Sequence, residues 1–136
     1  MATMAELLDC IDDPDDDSTR AYQLVDEIAR SGDTSLLPLL AVELDNFLNT
    51  GHFYGRDVIA DALAGLGGID VLPLLITASA RNLGDDQDGL QTTILELMST
   101  DKHRSRVVLD ELRADGPPEI QPQVMSAYEL LDSGLI

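Results

Sequence analysis

The chain has 136 residues, of which 26 are Asp or Glu and 8 are Lys or Arg, for a formal net charge of −18. A surface this negative repels phosphate backbones and anionic headgroups, which argues against direct binding of nucleic acid or of a membrane. Hydrophobic residues make up 44 %, too many for a disordered acidic tail, and the length fits one domain, 1–136, with a real core.

Further classes fall away on simple counts. No basic start precedes an apolar stretch as in a secretory signal, and no apolar run is expected to reach the ~18 residues of a membrane span. The single Cys10 cannot form an internal disulfide or a cysteine metal cluster. A reducing, cytoplasmic setting is expected.

The composition leans helical, with aromatics at 4 % and β-branched residues never in alternating runs. Met4, Leu7, Leu8 and Ile11 share one face of a first short helix. It is predicted to stop at Asp12-Asp13-Pro14, because the residue before proline is pushed out of the α region. Asp17 or Ser18 is the expected cap of a second helix, whose apolar positions are Ala21, Leu24, Val25, Ile28 and Ala29. Gly32 ends it, in the left-handed conformation that helix stops favour.

Asp33 or Thr34 then caps a third helix, with Leu36, Leu37, Leu40, Ala41, Leu44 and Leu48 on a broad apolar face. Pro38 sits in its first turn, where a missing N–H costs little, and Gly51 closes it. A helix over about 56–66, a break at Gly67-Gly68 and a helix over about 70–82 follow.

The pattern recurs at a fixed offset. Leu37-Pro38-Leu39-Leu40 returns as Leu72-Pro73-Leu74-Leu75, 35 residues on, and the same shift carries Asp26 to Asp61, Ala29 to Ala64 and Gly32 to Gly67. Two helices per period, with glycine between and proline just inside the second, is a repeat signature. A weaker copy at an offset near 34 places Ile94, Leu97 and Met98 in a further helix. Asp101 caps the next one, which carries Val108 and Leu109. Gly116-Pro117-Pro118 stops it, and a last amphipathic helix carries Ile120, Val124, Tyr128 and Leu131.

The stretch Ala60-Asp61-Ala62-Leu63-Ala64-Gly65-Leu66-Gly67-Gly68, leading to Leu72-Pro73-Leu74-Leu75, resembles the short HEAT repeat of the phycobilisome-lyase type. The copy from Asp26 to Leu40 is similar, with Gly32-Asp33 in its turn. The resemblance implies an all-α fold: a short right-handed α-α solenoid of about three helix pairs with terminal capping helices. It does not imply lyase activity, since such repeats serve adaptors, enzyme subunits and inhibitors alike.

Tests for chemistry come out negative. An EF-hand loop starting at Asp13 needs Gly at its sixth place and Glu at its twelfth, where this chain has Ser18 and Leu24. Asp85-Asp86-Gln87-Asp88-Gly89 lacks a distal bidentate Glu, so both acidic runs read as solvated loops. His52 and His103 have no i,i+4 histidine partner for zinc. No serine elbow, phosphate-cradling loop or dinucleotide fingerprint is present. Cys10 reads as a small, partly buried residue with no neighbouring base. No catalytic residue, metal or cofactor is therefore expected, and the chain reads as a non-enzyme.

Two segments remain for partner contact. The turn Gly51-His52-Phe53-Tyr54-Gly55-Arg56 offers aromatic and arginine side chains, which are favoured interface anchors. The alternative is that its aromatics pack on the adjacent helix. Lys102, Arg104 and Arg106 are the one basic cluster, expected to pair locally with Asp101, Asp110 and Glu111.

In such a solenoid the second helices, here about 36–49, 71–82 and 102–114, line one face. Their polar positions are Glu43, Asn46 and Asn49, then Thr77 and Arg81, then Glu111 and Asp115; Tyr54 joins them from the turn. Two functions fit. One is a module that binds a basic protein through its acidic surface, with an immunity protein or antitoxin-type inhibitor as the narrower form. The other is a scaffold or adaptor held by apolar contacts, its acidity serving solubility only. A DNA-lesion enzyme on such repeats would need a basic groove, which this charge opposes.

Overall fold

The computed structural model describes residues 4–13, 19–81 and 88–133. Every element among them is helical, so the all-α expectation holds. The acidic run after Asp13, the Asp17 or Ser18 cap and the Asp85–Asp88 turn lie outside the described residues, apart from the backbone at 88. The chain divides into two compact units, Met1–Gly67 and Gly68–Ile136.

The first unit holds α1 (Met4–Asp12), α2 (Thr19–Ser31), a 3₁₀ turn (Thr34–Leu36), α3 (Leu37–Thr50) and α4 (Phe53–Gly67). Helices α1, α2 and α3 all pack on α4. The periodicity read from sequence is what makes this core: Leu7, Ile11, Ala21, Leu24, Ile28, Leu40, Leu44 and Leu48 are all buried. Fully burying one such Leu or Ile contributes about 1.5–3 kcal/mol, so these three stripes dominate the unit's stability.

Helix α4 is apolar nearly all round, as a helix with neighbours on several sides must be. Val58, Ile59, Ala60, Ala62 and Leu63 are buried. Two glycines let its neighbours come close. A methyl built on Gly65 would lie 2.9 Å from the Ala29 Cβ of α2, and one on Gly55 would lie 2.7 Å from the Phe47 ring of α3.

The start of α4 departs from expectation. The helix begins at Phe53, not near 56, because His52 acts as its cap. The His52 Nδ1 accepts the Gly55 N–H at 2.9 Å, and the His52 carbonyl accepts the Arg56 N–H at 3.0 Å. Histidine is not among the usual capping residues, so the sequence carried no start signal there. Phe47 and His52 then pack ring to ring, centroids 4.9 Å apart.

The second unit holds a 3₁₀ turn (Gly68–Val71), α5 (Leu72–Ser79), α6 (Asp88–Thr100), α7 (Lys102–Asp115), a 3₁₀ turn (Pro118–Ile120) and α8 (Gln121–Asp132). Helices α5 and α8 each pack on the other three. Leu72, Leu75, Ile76, Leu90, Ile94, Met98, Leu109, Val124 and Leu131 form its core. Asp101 caps α7 as expected, accepting the Arg104 N–H at 3.0 Å.

The repeated Leu-Pro motif has a repeated local structure. A 3₁₀ turn opens into α3 with Pro38 in its first turn, and another opens into α5 with Pro73 there. The same device starts α8 with Pro122, a third use that the sequence spacing did not reveal. Among the described residues the left-handed glycines are Gly32 (φ 65°), Gly51 (φ 70°), which closes α3 as expected, and Gly68 (φ 63°), so the stop after α4 falls one residue after the Gly67 that the offset indicates.

The stretch Phe53–Ser79 is, by length and composition, apolar enough to cross a membrane, which the sequence reading had not expected. Half of its most apolar window is buried inside the fold, where α4 and α5 supply the cores of their units.

The Gly65 contact gives a test. Gly65→Ala gains about 1 kcal/mol of helix propensity but forces α2 off α4, and overpacking costs about 1–3 kcal/mol. Urea unfolding is expected to show a net loss of stability. Adding Ala29→Gly, which removes the opposing methyl, should recover part of that loss.

Candidate partner-binding surface

The eight candidate residues fall four in each unit. On α3, Asn46 and Asn49 are exposed and Glu43 is half-buried. Asn49 donates from Nδ2 to Asp45 at 3.3 Å, which orients its amide along the helix surface. The same helix exposes Leu39 (52 %) and Val42 (58 %), the two most exposed large apolar side chains among the described residues. Tyr54, half-buried, lies in the first turn of α4 and not in a loop.

Arg56 corrects the expectation of a contact loop. Its side chain is 1 % exposed and cannot serve as a surface anchor. Burying a guanidinium requires compensation. Its Nε donates to the Asp57 carboxylate at 2.9 Å, and its Cζ lies 5.4 Å from the centroid of the Phe53 ring, a cation–π arrangement.

In the second unit Thr77 is exposed on α5, and its hydroxyl donates to the Pro73 carbonyl at 2.8 Å. Arg81 is half-buried and lies past the end of α5 at Ser79. Glu111 and Asp115 are both exposed on α7, one turn apart, and line one cleft of about 440 Å³ together with Pro73, Val108 and Leu112.

The charges around that cleft follow from where the arginines went. Local pairing within α7 was expected. Instead Arg104 bonds Asp70 at 2.7 Å, in the turn that opens into α5, and Arg106 bonds Asp132 at the end of α8. Asp110 accepts a hydrogen bond from the Tyr128 hydroxyl. Glu111 and Asp115 have no ion pair among the described residues.

Their position is electrostatically unfavourable for the free chain. Like charges at i,i+4 repel by tenths of a kcal/mol, and the Asp115 carboxylate in the last helical turn opposes the negative end of the helix dipole. The helix end has its own cap, one that sequence reasoning missed. Gln121 Nε2 donates to the Leu112 and Gly116 carbonyls at 3.0 and 3.2 Å, returning across nine residues where no local signal marks it.

The remaining arginine pairs act elsewhere on the surface: Arg30 with Asp26 at 3.0 Å and Arg20 with Glu6 at 3.7 Å. Among the described residues five arginines are thus matched to carboxylates, while over the chain acids outnumber bases 26 to 8. Among the described residues no group of three or more His, Cys, Asp or Glu is arranged to hold a metal. No family model matches the chain, and no curated protein or solved structure is significantly similar to it.

Two tyrosines sense the acidic surface. Tyr22 on α2 has its phenol raised above the ordinary value, first by desolvation and then by Asp61 and Asp57 of α4. Tyr128 is raised by desolvation and by its bond to Asp110. A raised phenol favours the protonated form in the fold, so its contribution to stability is present below about pH 10 and is lost as pH rises through the raised value. Ultraviolet titration of tyrosinate is expected to show both ionising later in the folded chain than in urea. Asp61→Asn should lower Tyr22 while leaving the part due to burial.

Proposed function

We propose that this chain is a non-catalytic, cytoplasmic protein-binding module that takes up a basic protein through its acidic helical surface. An inhibitor of the immunity-protein or antitoxin kind is the narrower form of that reading. The observation that carries it is the cleft bearing Glu111 and Asp115. Two unpaired carboxylates stand there at a helix end that disfavours them, beside the apolar side chains of Pro73, Val108 and Leu112. A lysine or arginine of a partner would relieve the repulsion, and its methylenes would cover the apolar wall.

The net charge supports the same sign of partner, since negative potential steers basic proteins and raises association rates. A HEAT-like array of helix pairs is the architecture we propose, supported by the two Leu-Pro starts at Leu37-Pro38 and Leu72-Pro73, each preceded by a left-handed glycine and a 3₁₀ turn.

A second reading has its own support. Leu39 and Val42, exposed on α3 beside Asn46, would suit an adaptor held by apolar contacts, with the acidity serving solubility.

One experiment separates the two. The protein retained by the immobilised chain from cells that encode it is purified, and the pair is titrated at rising salt. Electrostatic capture predicts that affinity falls steeply with salt, and that Glu111→Gln with Asp115→Asn weakens it about tenfold or more. Salt-independent binding that is lost in Leu39→Ser with Val42→Ser would overturn this in favour of the adaptor.

A further inference from the structure

A second cleft lies within the Gly68–Ile136 unit, between α6 and α8, with a volume of about 650 Å³. That is within the range of clefts that hold ligands. Gln91 and Leu95 line it from α6, and Gln123, Ser126, Glu129 and Leu130 from α8.

Its chemistry is unusual for this chain. Gln91 and Gln123 are half-buried, yet neither side-chain amide has a hydrogen-bond partner among the described residues. Both amides keep contact with solvent, and on facing helices their free donors and acceptors can be taken up by a polar ligand without breaking a bond of the fold. Each amide offers donors and an acceptor, which is the complement of a peptide unit with its own C=O and N–H. Leu95 and Leu130 supply apolar patches beside them.

The same lining disfavours other ligands. Among the described residues it has no Lys, Arg or His to hold a phosphate or carboxylate, and no aromatic ring on which a sugar would stack. Among the described residues its one ionisable side chain is Glu129, which has no ion pair there. A second copy of this chain would bring another −18 of charge to the contact and is repelled.

We propose that the α6–α8 cleft binds an extended peptide segment that carries a basic side chain, with Gln91 and Gln123 bonding its main chain and Glu129 pairing with the basic group. The residues involved are not those of the Glu111–Asp115 cleft, and neither site requires the other.

The test uses the whole chain, isotope-labelled, and three acetylated, amidated seven-residue peptides of alternating alanine and leucine. One has a central lysine, one a central glutamate, and one a central lysine with N-methylated peptide bonds. The lysine peptide should shift the side-chain amide resonances of Gln91 and Gln123, and the other two should bind about tenfold more weakly or worse. Gln91→Leu and Gln123→Leu should each weaken the lysine peptide about tenfold. Glu111→Gln with Asp115→Asn should leave its binding intact.

Shifts confined to the surroundings of Glu111 and Asp115 would overturn the proposal. So would equal binding of the N-methylated peptide, or shifts of Gln91 and Gln123 by glucose and not by the lysine peptide. The comparison among peptides on the unaltered chain stands even if a glutamine variant fails to fold.

Discussion

The first unit depends on how closely its helices approach α4. An α-helix can bury one stripe against one neighbour with ordinary side chains, but α4 receives α1, α2 and α3. It does so because small residues occupy the contact points: Gly65 faces Ala29 and Gly55 lies under the Phe47 ring. Larger side chains between those points, Val58, Ile59 and Leu63, fill the volume that remains. The cap at His52 belongs to the same arrangement. It starts α4 early enough to bring Phe53 and Gly55 into the helix, and its ring packs on Phe47.

Arg56 shows what that close packing demands. Its guanidinium is buried, and the charge is met by the adjacent Asp57 carboxylate and the face of Phe53. Elsewhere the scarce positive charges act as ties between distant parts of the chain: Arg104 to Asp70 and Arg106 to Asp132 join α7 to the turn before α5 and to α8. Exposed pairs of this kind each contribute only about 0.2–1 kcal/mol. Their larger effect is on what they leave behind. With Arg104 and Arg106 engaged elsewhere, Glu111 and Asp115 have no ion pair among the described residues, and Arg113 is the base in the last turn beside them.

Much of the fold was legible because apolar spacing, proline and capping residues act locally. The stripe through Leu24 and Ile28, the Pro38 and Pro73 starts and the Asp101 cap needed only neighbours within a turn or two to be recognised. Arg56 was misread because burial of a charge depends on what packs over it, and a short aromatic-rich segment resembles a loop when its cap is a histidine. The pairing of Arg104 with Asp70 spans 34 residues, whereas helical spacing points to nearer acids, of which Asp101 caps α7 and Asp110 accepts from Tyr128. Of the candidate surface, Glu111 and Asp115 were legible as polar positions of one helix. That Pro73 and Val108 enclose a cleft with them could be seen only in three dimensions.

In the proposed function Glu111 and Asp115 are kept for a partner at the expense of the free chain. Thermal unfolding of the isolated protein at low salt, compared with Glu111→Gln, Asp115→Asn and the double variant, tests this without knowing the partner. Removing the Asp115 carboxylate from the last turn is worth about 0.3–1 kcal/mol and removing that of Glu111 relieves an i,i+4 repulsion of tenths of a kcal/mol, so each variant should melt higher than the parent, and the double variant highest. If the variants instead melt lower, the two carboxylates stabilise the fold itself, and the case for their being held for a basic partner is lost.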